Sequence, residues 1–146
     1  PIGYRFNSYL ERHFKHFNFM IQVGTVLNVA DNSGAKKAYC IRIINASKKR
    51  YGSIGDSVLV VVKSLRKKRR ASSKVKKGEI YPAVVVRTKK GVSSKSSDNF
   101  FFLENSVILL NKQQKFIGTR IFGCLPKFFR FTKHMRVLSL CLGIVS

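Results

Sequence analysis

Two β-branched runs constrain this chain most: "SVLVVVK" at residues 57–63 and "AVVVRT" at residues 83–88. Branching at Cβ stiffens χ1 and packs well on a pleated surface, so such runs favour strands. Being nearly continuous, they belong to strands that are buried on both faces or that line a small barrel. Between them lies "SLRKKRRASSKVKKGEI", residues 64–80, with eight Lys or Arg in the twelve positions from Arg66 to Lys77 and no acid among those twelve. Like charges this dense repel, and a compact fold does not gather them for its own stability. The run therefore speaks of what the folded chain sits against.

The whole chain shares this bias. Its 146 residues fit one domain, and 45% hydrophobic residues suffice for a core. Against that stand 29 Lys plus Arg and only 6 Asp plus Glu, a formal net charge of +23. A small domain with such a field calls for a polyanion. Nucleic acid fits better than an anionic membrane, because the charge is interleaved with strand-like segments along the chain. No membrane partner is expected: the longest apolar run, near "VLSLCLGIV", is about half the length that spans a bilayer. Nor is a secretory leader expected, since no apolar run with a small-residue cleavage site lies near the N-terminus.

Residues 1–19, "PIGYRFNSYLERHFKHFNF", read as an N-terminal extension with Phe6, Leu10, Phe14 and Phe17 at helical spacing and a Ser8/Glu11 capping box. A short amphipathic helix is expected there, one needing a partner surface. From Met20 the texture becomes β. "IQVGTVLNVA" reads as a strand, and "DNSG" as a turn in which Gly34 supplies positive φ. "KKAYCIRII" reads as a strand with one face buried, Tyr39, Ile41 and Ile43 alternating with Cys40 and Arg42. Pro82 belongs at a strand start or an edge, where no ladder hydrogen bond is needed. "NSVILLN" is the last clear strand; beyond Gly118, short helices and irregular segments are expected. The sum is an all-β barrel with a helical end.

Catalytic chemistry finds little support. The acids Glu11, Asp31, Asp56, Glu79, Asp98 and Glu104 are dispersed, several beside glycines or opening turns, where carboxylates ordinarily bond nearby backbone N–H groups. Cys124 with His134 lacks an evident orienting third group, and no phosphate-loop or dinucleotide motif is present. Cys40, Cys124 and Cys141 are odd in number and have no C-x-x-C pair, so neither a disulfide framework nor a metal site is expected. We expect no enzyme, no cofactor, no metal and no homo-oligomer.

The positive features are basic stretches on loops. "SKKRYGS" offers Lys48, Lys49 and Arg50 for phosphate and Tyr51 for stacking. The long run offers Arg66, Lys67, Lys68, Arg69, Arg70, Lys74, Lys76 and Lys77. "RTKKGVSSKSSDNFFF" reads as a projecting hairpin with Arg87, Thr88, Lys89 and Lys90 at its base and Phe100, Phe101 and Phe102 on its return. From Lys63 to Lys95 there are thirteen Lys or Arg and one acid, Glu79. Phosphate contacts of this kind position a protein but read little sequence, so the expected partner is a folded RNA recognised by shape.

Four segments in order, "MIQVGTVLNVADNSGAKKAYCIRII", "SKKRYGSIGD", "KVKKGEIYPAVVVRTKKGV" and "IGTRIFG", resemble large-subunit ribosomal protein fourteen, the universal L-fourteen family, across residues 20 to 140. The resemblance implies a small closed five-stranded β-barrel, a projecting β-ribbon and a C-terminal region of two short helices. It implies binding to large-subunit rRNA, contact with large-subunit proteins three and nineteen, and bridges to small-subunit rRNA at the subunit interface. Lys36, Lys37, Lys48, Lys49, Arg50, Lys76, Lys77, Arg87, Lys89 and Lys90 match the family's RNA-facing motifs. Thr119, Arg120 and Arg136 fall where the family resembles a docking face for a ribosome-silencing factor. The domain would be residues 20–146, preceded by the extension.

The chain also departs from that pattern. "LRKKRRASS" is longer and more basic than the family's loop, and the ribbon tip "SSKSSDN" lacks the family's Arg pair and Pro-Asp-Gly turn. "FGCLPKFFRF" has Phe128 where an acid is common and no Pro directly after Gly123, and "SLCLGIVS" lacks the usual Pro-Glu ending. Abundant Phe, Lys, Ile, Asn and Ser point to an AT-rich genome, and the divergent bacterial-type pattern points to an organelle. A mitochondrial ribosome is the expected location, ahead of a plastid or bacterial-type cytoplasmic one. Two other readings compete: a general nucleic-acid-binding barrel, such as an RNA chaperone, acting off the ribosome, and a nuclease or RNA-modifying enzyme.

Overall fold

The computed structural model describes residues 21–44, 50–69, 71–90, 92–93 and 99–145. The extension, residues 1–19, lies outside them. Five strands close into a barrel: β1 (Val26–Val29), β2 (Ala35–Ile43), β3 (Ser57–Leu65), β4 (Ile80–Arg87) and, after the ribbon, β7 (Ser106–Leu109), in the order β1-β2-β3-β4-β7. Neighbours are antiparallel except β1 and β7, which run parallel with Asn28 opposite Ser106.

The two apolar runs differ in why they are apolar. On β3 burial alternates: Val58, Val60 and Val62 fill the barrel, while Leu59 and Val61 are only half-buried. On β4 and β7 both faces are covered. Ala83, Val85, Val107 and Leu109 point into the barrel; Val84, Val86, Ile108 and Leu110 join a second core with Ile121, Leu125, Phe129 and Val137. That second core is built by the C-terminal segment, which shields one wall of the barrel from water.

Other details follow from local chemistry. Gly34 takes φ +102°, closing the turn at Asp31–Gly34 as expected. Pro82 is the third residue of β4 and stands at the end of the ladder toward β7, where its carbonyl accepts from the Leu110 N–H at 2.8 Å. Its missing N–H therefore falls at the last rung, where one bond fewer is tolerated. In β2 the buried side chains are Ala35, Ala38, Cys40 and Ile43, whereas Tyr39 and Ile41 are half-buried. A register shift between Cys40 and Arg42 moves Ile43 to the inner face, as an extra residue in a strand does. Burial pushes the Cys40 thiol up, with a hydrogen bond to backbone at Arg42 acting the other way, so it is an inert core group.

Two expectations need correction. "IQVGTVLNVA" is not one strand: Gly24, at φ +93°, turns the chain, the Gln22 N–H donates to Thr25 Oγ1, and the strand starts at Val26. "NSVILLN" is not the last strand. β8 (Ile121–Pro126) and β9 (Cys141–Val145) form a two-stranded parallel sheet, with a 3-10 turn at Lys127–Phe131 and helix α1 (Arg136–Leu140) between them. Both strands are short, each contains a glycine, and neither alternates cleanly, so period-2 reading misses them. The short helical pieces do occur, but as the crossover between two strands. The hairpin base also forms, as β5 (Val92–Ser93) paired with β6 (Asn99–Phe100).

Candidate nucleic-acid interface

The basic run is tied to the barrel rather than hung from it. The Arg66 N–H donates to Gly34 O at 2.9 Å and the Lys74 N–H to Ser33 O at 2.9 Å, so both ends of the loop fasten to one turn. Val75 inserts into the barrel core, and the Gly78 N–H bonds Val62 O at 2.8 Å. A 3-10 turn over Lys67–Arg69 lies between the fixed points. Repulsion among the cations is thus held against a rigid frame, and the exposed heads of Lys67, Lys68, Lys76 and Lys77 face water.

Turn Asp31–Gly34 is the anchor. Asp31 is fully buried. Its Oδ1 accepts from the Ser33 N–H at 3.0 Å and from the Ser33 hydroxyl, and its Oδ2 accepts from the Leu109 N–H at 3.0 Å. Asn32 holds the next segment: its Nδ2 donates to Thr119 Oγ1, and its Oδ1 accepts from the Thr119 and Arg120 N–H groups at 2.8 and 3.3 Å.

Beside that anchor a cleft of about 680 Å³ is lined by Asn28, Val29, Ala30, Lys36, Arg66, Lys67, Lys68, Arg87, Glu104 and Phe122. Lys36 is exposed on β2 and Lys67 and Lys68 on the loop. Arg66 is aimed by its surroundings: Nη2 donates to Val29 O at 3.1 Å, and the guanidinium lies 5.0 Å from the Phe122 ring centroid. Lys36, Lys37 and Lys67 also share a smaller concavity with Ser64 and Leu65. Lys36, Arg66, Lys67 and Lys68 thus bring several cations to one concave surface, which makes it attractive to a polyanion.

The floor of the cleft is an ion pair that sequence reading missed. Arg87 is only 9% exposed and Thr88 is also buried. The Arg87 guanidinium donates to Phe122 O at 3.0 Å, to Ser106 Oγ at 3.3 Å and to Glu104 Oε1 at 3.2 Å. Glu104 also accepts from Asn28 Nδ2 at 2.6 Å and from Ser106 Oγ at 2.9 Å. The pair joins β4, β7 and β8, and Gly123 makes room for it: at φ +87°, a Cβ there would lie 2.0 Å from Arg87 Nη1. A lone acid in "FFFLENS" was the available signal.

The remaining expected site residues are scattered. Arg50 and Tyr51 are exposed, as is Lys89, while Lys90 is half-buried. Lys74 Nζ donates to Ile117 O at 3.3 Å. Lys48, Lys49 and Arg70 lie outside the described residues, and of Arg69 only the backbone is described. Thr119 and Arg120 are exposed beside Asn32, whereas Arg136 lines a different hollow with Lys133, His134, Met135 and Ile44. Asp56 caps its own turn, accepting from the Ser53 N–H and hydroxyl at 2.7 and 2.9 Å. Among the described residues no group of three or more metal-binding side chains is present, and no helix is long and apolar enough to cross a membrane.

His134 sits 3.5 Å from Ser57 Oγ, on the seam between α1 and the barrel. Burial lowers its imidazole below the ordinary 6.5, and the Lys133 charge adds to that. The unfolded chain then takes up the proton first. This group's stabilising share is complete above the unfolded value and is lost as pH falls below about 6.5. Amide exchange at Val137 and Leu138, corrected for intrinsic rate, is therefore expected to speed up relative to β3 as pH falls below about 6.5. Equal pH dependence in both places would contradict the assignment.

A model of the family described as ribosomal protein L14p/L23e matches residues 20–145.

Proposed function

The chain belongs to the ribosomal protein L14p/L23e family and is a structural protein of the large ribosomal subunit; from that premise we propose that it binds large-subunit rRNA through the cationic cleft between β2, the basic loop and β8. The single observation that carries this is the gathering of Lys36, Arg66, Lys67 and Lys68 around one concave surface in a chain of net charge +23. Arg50, Lys76, Lys77 and Lys89, exposed outside the cleft, supply further phosphate contacts in this reading, and exposed Tyr51 supplies a stacking ring. Lys37, Lys74 and Lys90, with Lys48, Lys49, Arg69 and Arg70 from the sequence pattern, complete the set of phosphate contacts in this reading. Arg87 takes a different role: buried and held by Glu104, it shapes the cleft floor instead of touching phosphate, and Thr88 is buried as well.

In the same reading residues 20–146 are one ribosomal domain and residues 1–19 an extension. The protein faces small-subunit rRNA across the interface and neighbours large-subunit proteins three and nineteen. Thr119, Arg120 and Arg136 are the surface offered to a ribosome-silencing factor. The ribosome is mitochondrial, supported by the AT-biased composition and the divergent ribbon tip and basic loop.

Binding of the full chain to large-subunit rRNA tests the proposal. If about ten phosphates are neutralised, log K falls with log salt at a slope of roughly −7 to −9. Changing Lys36, Lys37, Lys67 and Lys68 together to Ser is expected to flatten that slope by about 3. An unchanged slope would remove the cleft from the interface. Equal affinity for unrelated duplexes would favour a barrel acting off the ribosome.

A further inference from the structure

A second cavity, of about 750 Å³, lies on the far side of the Arg87–Glu104 pair, at the base of the ribbon. It shares Asn28, Arg87 and Glu104 with the cationic cleft, so one ion pair is the wall between two concavities. Its chemistry differs. Lys89 and Asn105 bring polar groups; Phe101, Phe102, Leu103 and Val26 bring apolar surface. Phe101 is 71% exposed and Leu103 is 97% exposed, a large apolar surface to leave in water beside a lysine.

The backbone is fixed where the cavity needs it. The Asn28 N–H donates to Asn105 O at 2.9 Å, and the Lys89 N–H donates to Asn105 Oδ1 at 2.9 Å. Asn28 spends its Nδ2 on Glu104. The Asn105 side-chain amide N–H groups and the Asn28 side-chain carbonyl have no partner among the described residues. One donor and one acceptor beside an exposed aromatic ring and a cation is the set that single-stranded RNA uses: a ring to stack on, amides for the base edge, a positive charge for the phosphate.

We propose that this cavity takes one unstacked base of a single-stranded stretch of RNA, stacked on Phe101, while the adjoining phosphates lie on Lys89 and run past the ion pair into the cationic cleft. The inference rests on the RNA-binding reading above and adds a preference that phosphate contacts alone do not give. A duplex keeps its bases stacked and cannot fill the cavity; a loop or bulge can. A protein side chain would suit Phe101 and Leu103, but would leave the two amides and Lys89 without an anionic or base-like partner.

The test uses the full chain with two probes: a short oligouridylate carrying one 2-aminopurine, and an RNA duplex of the same length. The wild-type chain is expected to bind both and to quench the 2-aminopurine on the single strand. Phe101→Ser is expected to abolish the quench and weaken single-strand binding about 5- to 150-fold, the range of one base–aromatic stack, while leaving the duplex unchanged. Phe101→Tyr keeps the ring and should retain both. Phe101 is exposed, so an unchanged urea midpoint is expected to show that the Ser variant folds. Binding of both RNAs without quenching, or equal weakening of both by Phe101→Ser, would overturn the proposal and leave the cavity to a protein partner. Binding of neither RNA at low salt would instead overturn the RNA-binding reading itself.

Discussion

Asp31→Ala is expected to destabilise the folded chain by about 3 kcal/mol or more, as read from the urea midpoint. The carboxylate is fully buried and accepts two backbone N–H groups and a hydroxyl, one of them the Leu109 N–H of β7. Alanine leaves those donors without partners in a site water does not reach, and each orphaned buried group costs about 1–3 kcal/mol. The damage should spread, because the same turn fastens both ends of the basic loop and, through Asn32, the segment at Thr119. Asp31→Asn keeps one acceptor oxygen and is expected to lose less. An alanine variant within about 0.5 kcal/mol of wild type would mean that the turn is not the anchor described.

Gly123→Ala should be nearly as severe, for a different reason. The backbone at φ +87° disfavours any Cβ, and the added carbon would occupy the space of Arg87 Nη1. The guanidinium would have to leave Phe122 O, Ser106 and Glu104, stranding a buried charge. Breaking a buried pair from one side costs about 3–5 kcal/mol. Glu104 is 46% exposed and relaxes toward water, so a loss of about 3 kcal/mol is the better expectation. Paired with Arg87→Met, which removes the clash and the charge together, Gly123→Ala should cost markedly less than it does alone. Additive losses in the double variant would show that the two residues do not act on each other.

What the sequence made legible was whatever rests on local pattern. The β-branched composition of "SVLVVVK" and "AVVVRT" marked the barrel strands, "DNSG" marked its turn, and the basic and aromatic flanks of "KKGVSSKSSDNFFF" marked the ribbon base. What stayed hidden depends on distant residues. Arg87 sits in a stretch with Lys89 and Lys90 and looks like them, yet its fate is set by Glu104, Ser106 and Phe122, residues 17, 19 and 35 positions away. Asp31 was legible as a turn opener, since Ser33 is two residues on; its bond to Leu109 spans 78 residues. β8 and β9 escaped because parallel pairing across a crossover leaves no hairpin signal, and Gly123 interrupts the alternation. The buried side of β2 was obscured by the register shift at Cys40–Arg42, which no composition rule marks.

Cations line both concavities, with Lys36, Lys67 and Lys68 on one side of the Arg87–Glu104 pair and Lys89, with Phe101, on the other. Ultraviolet cross-linking within intact large subunits, read as nucleotide adducts on peptides of this chain, tests that arrangement most directly. The account predicts adducts clustered on the peptides around Lys36, Lys67–Lys68 and Lys89–Phe101. Adducts confined to β9 and α1, with none on those three peptides, would contradict it.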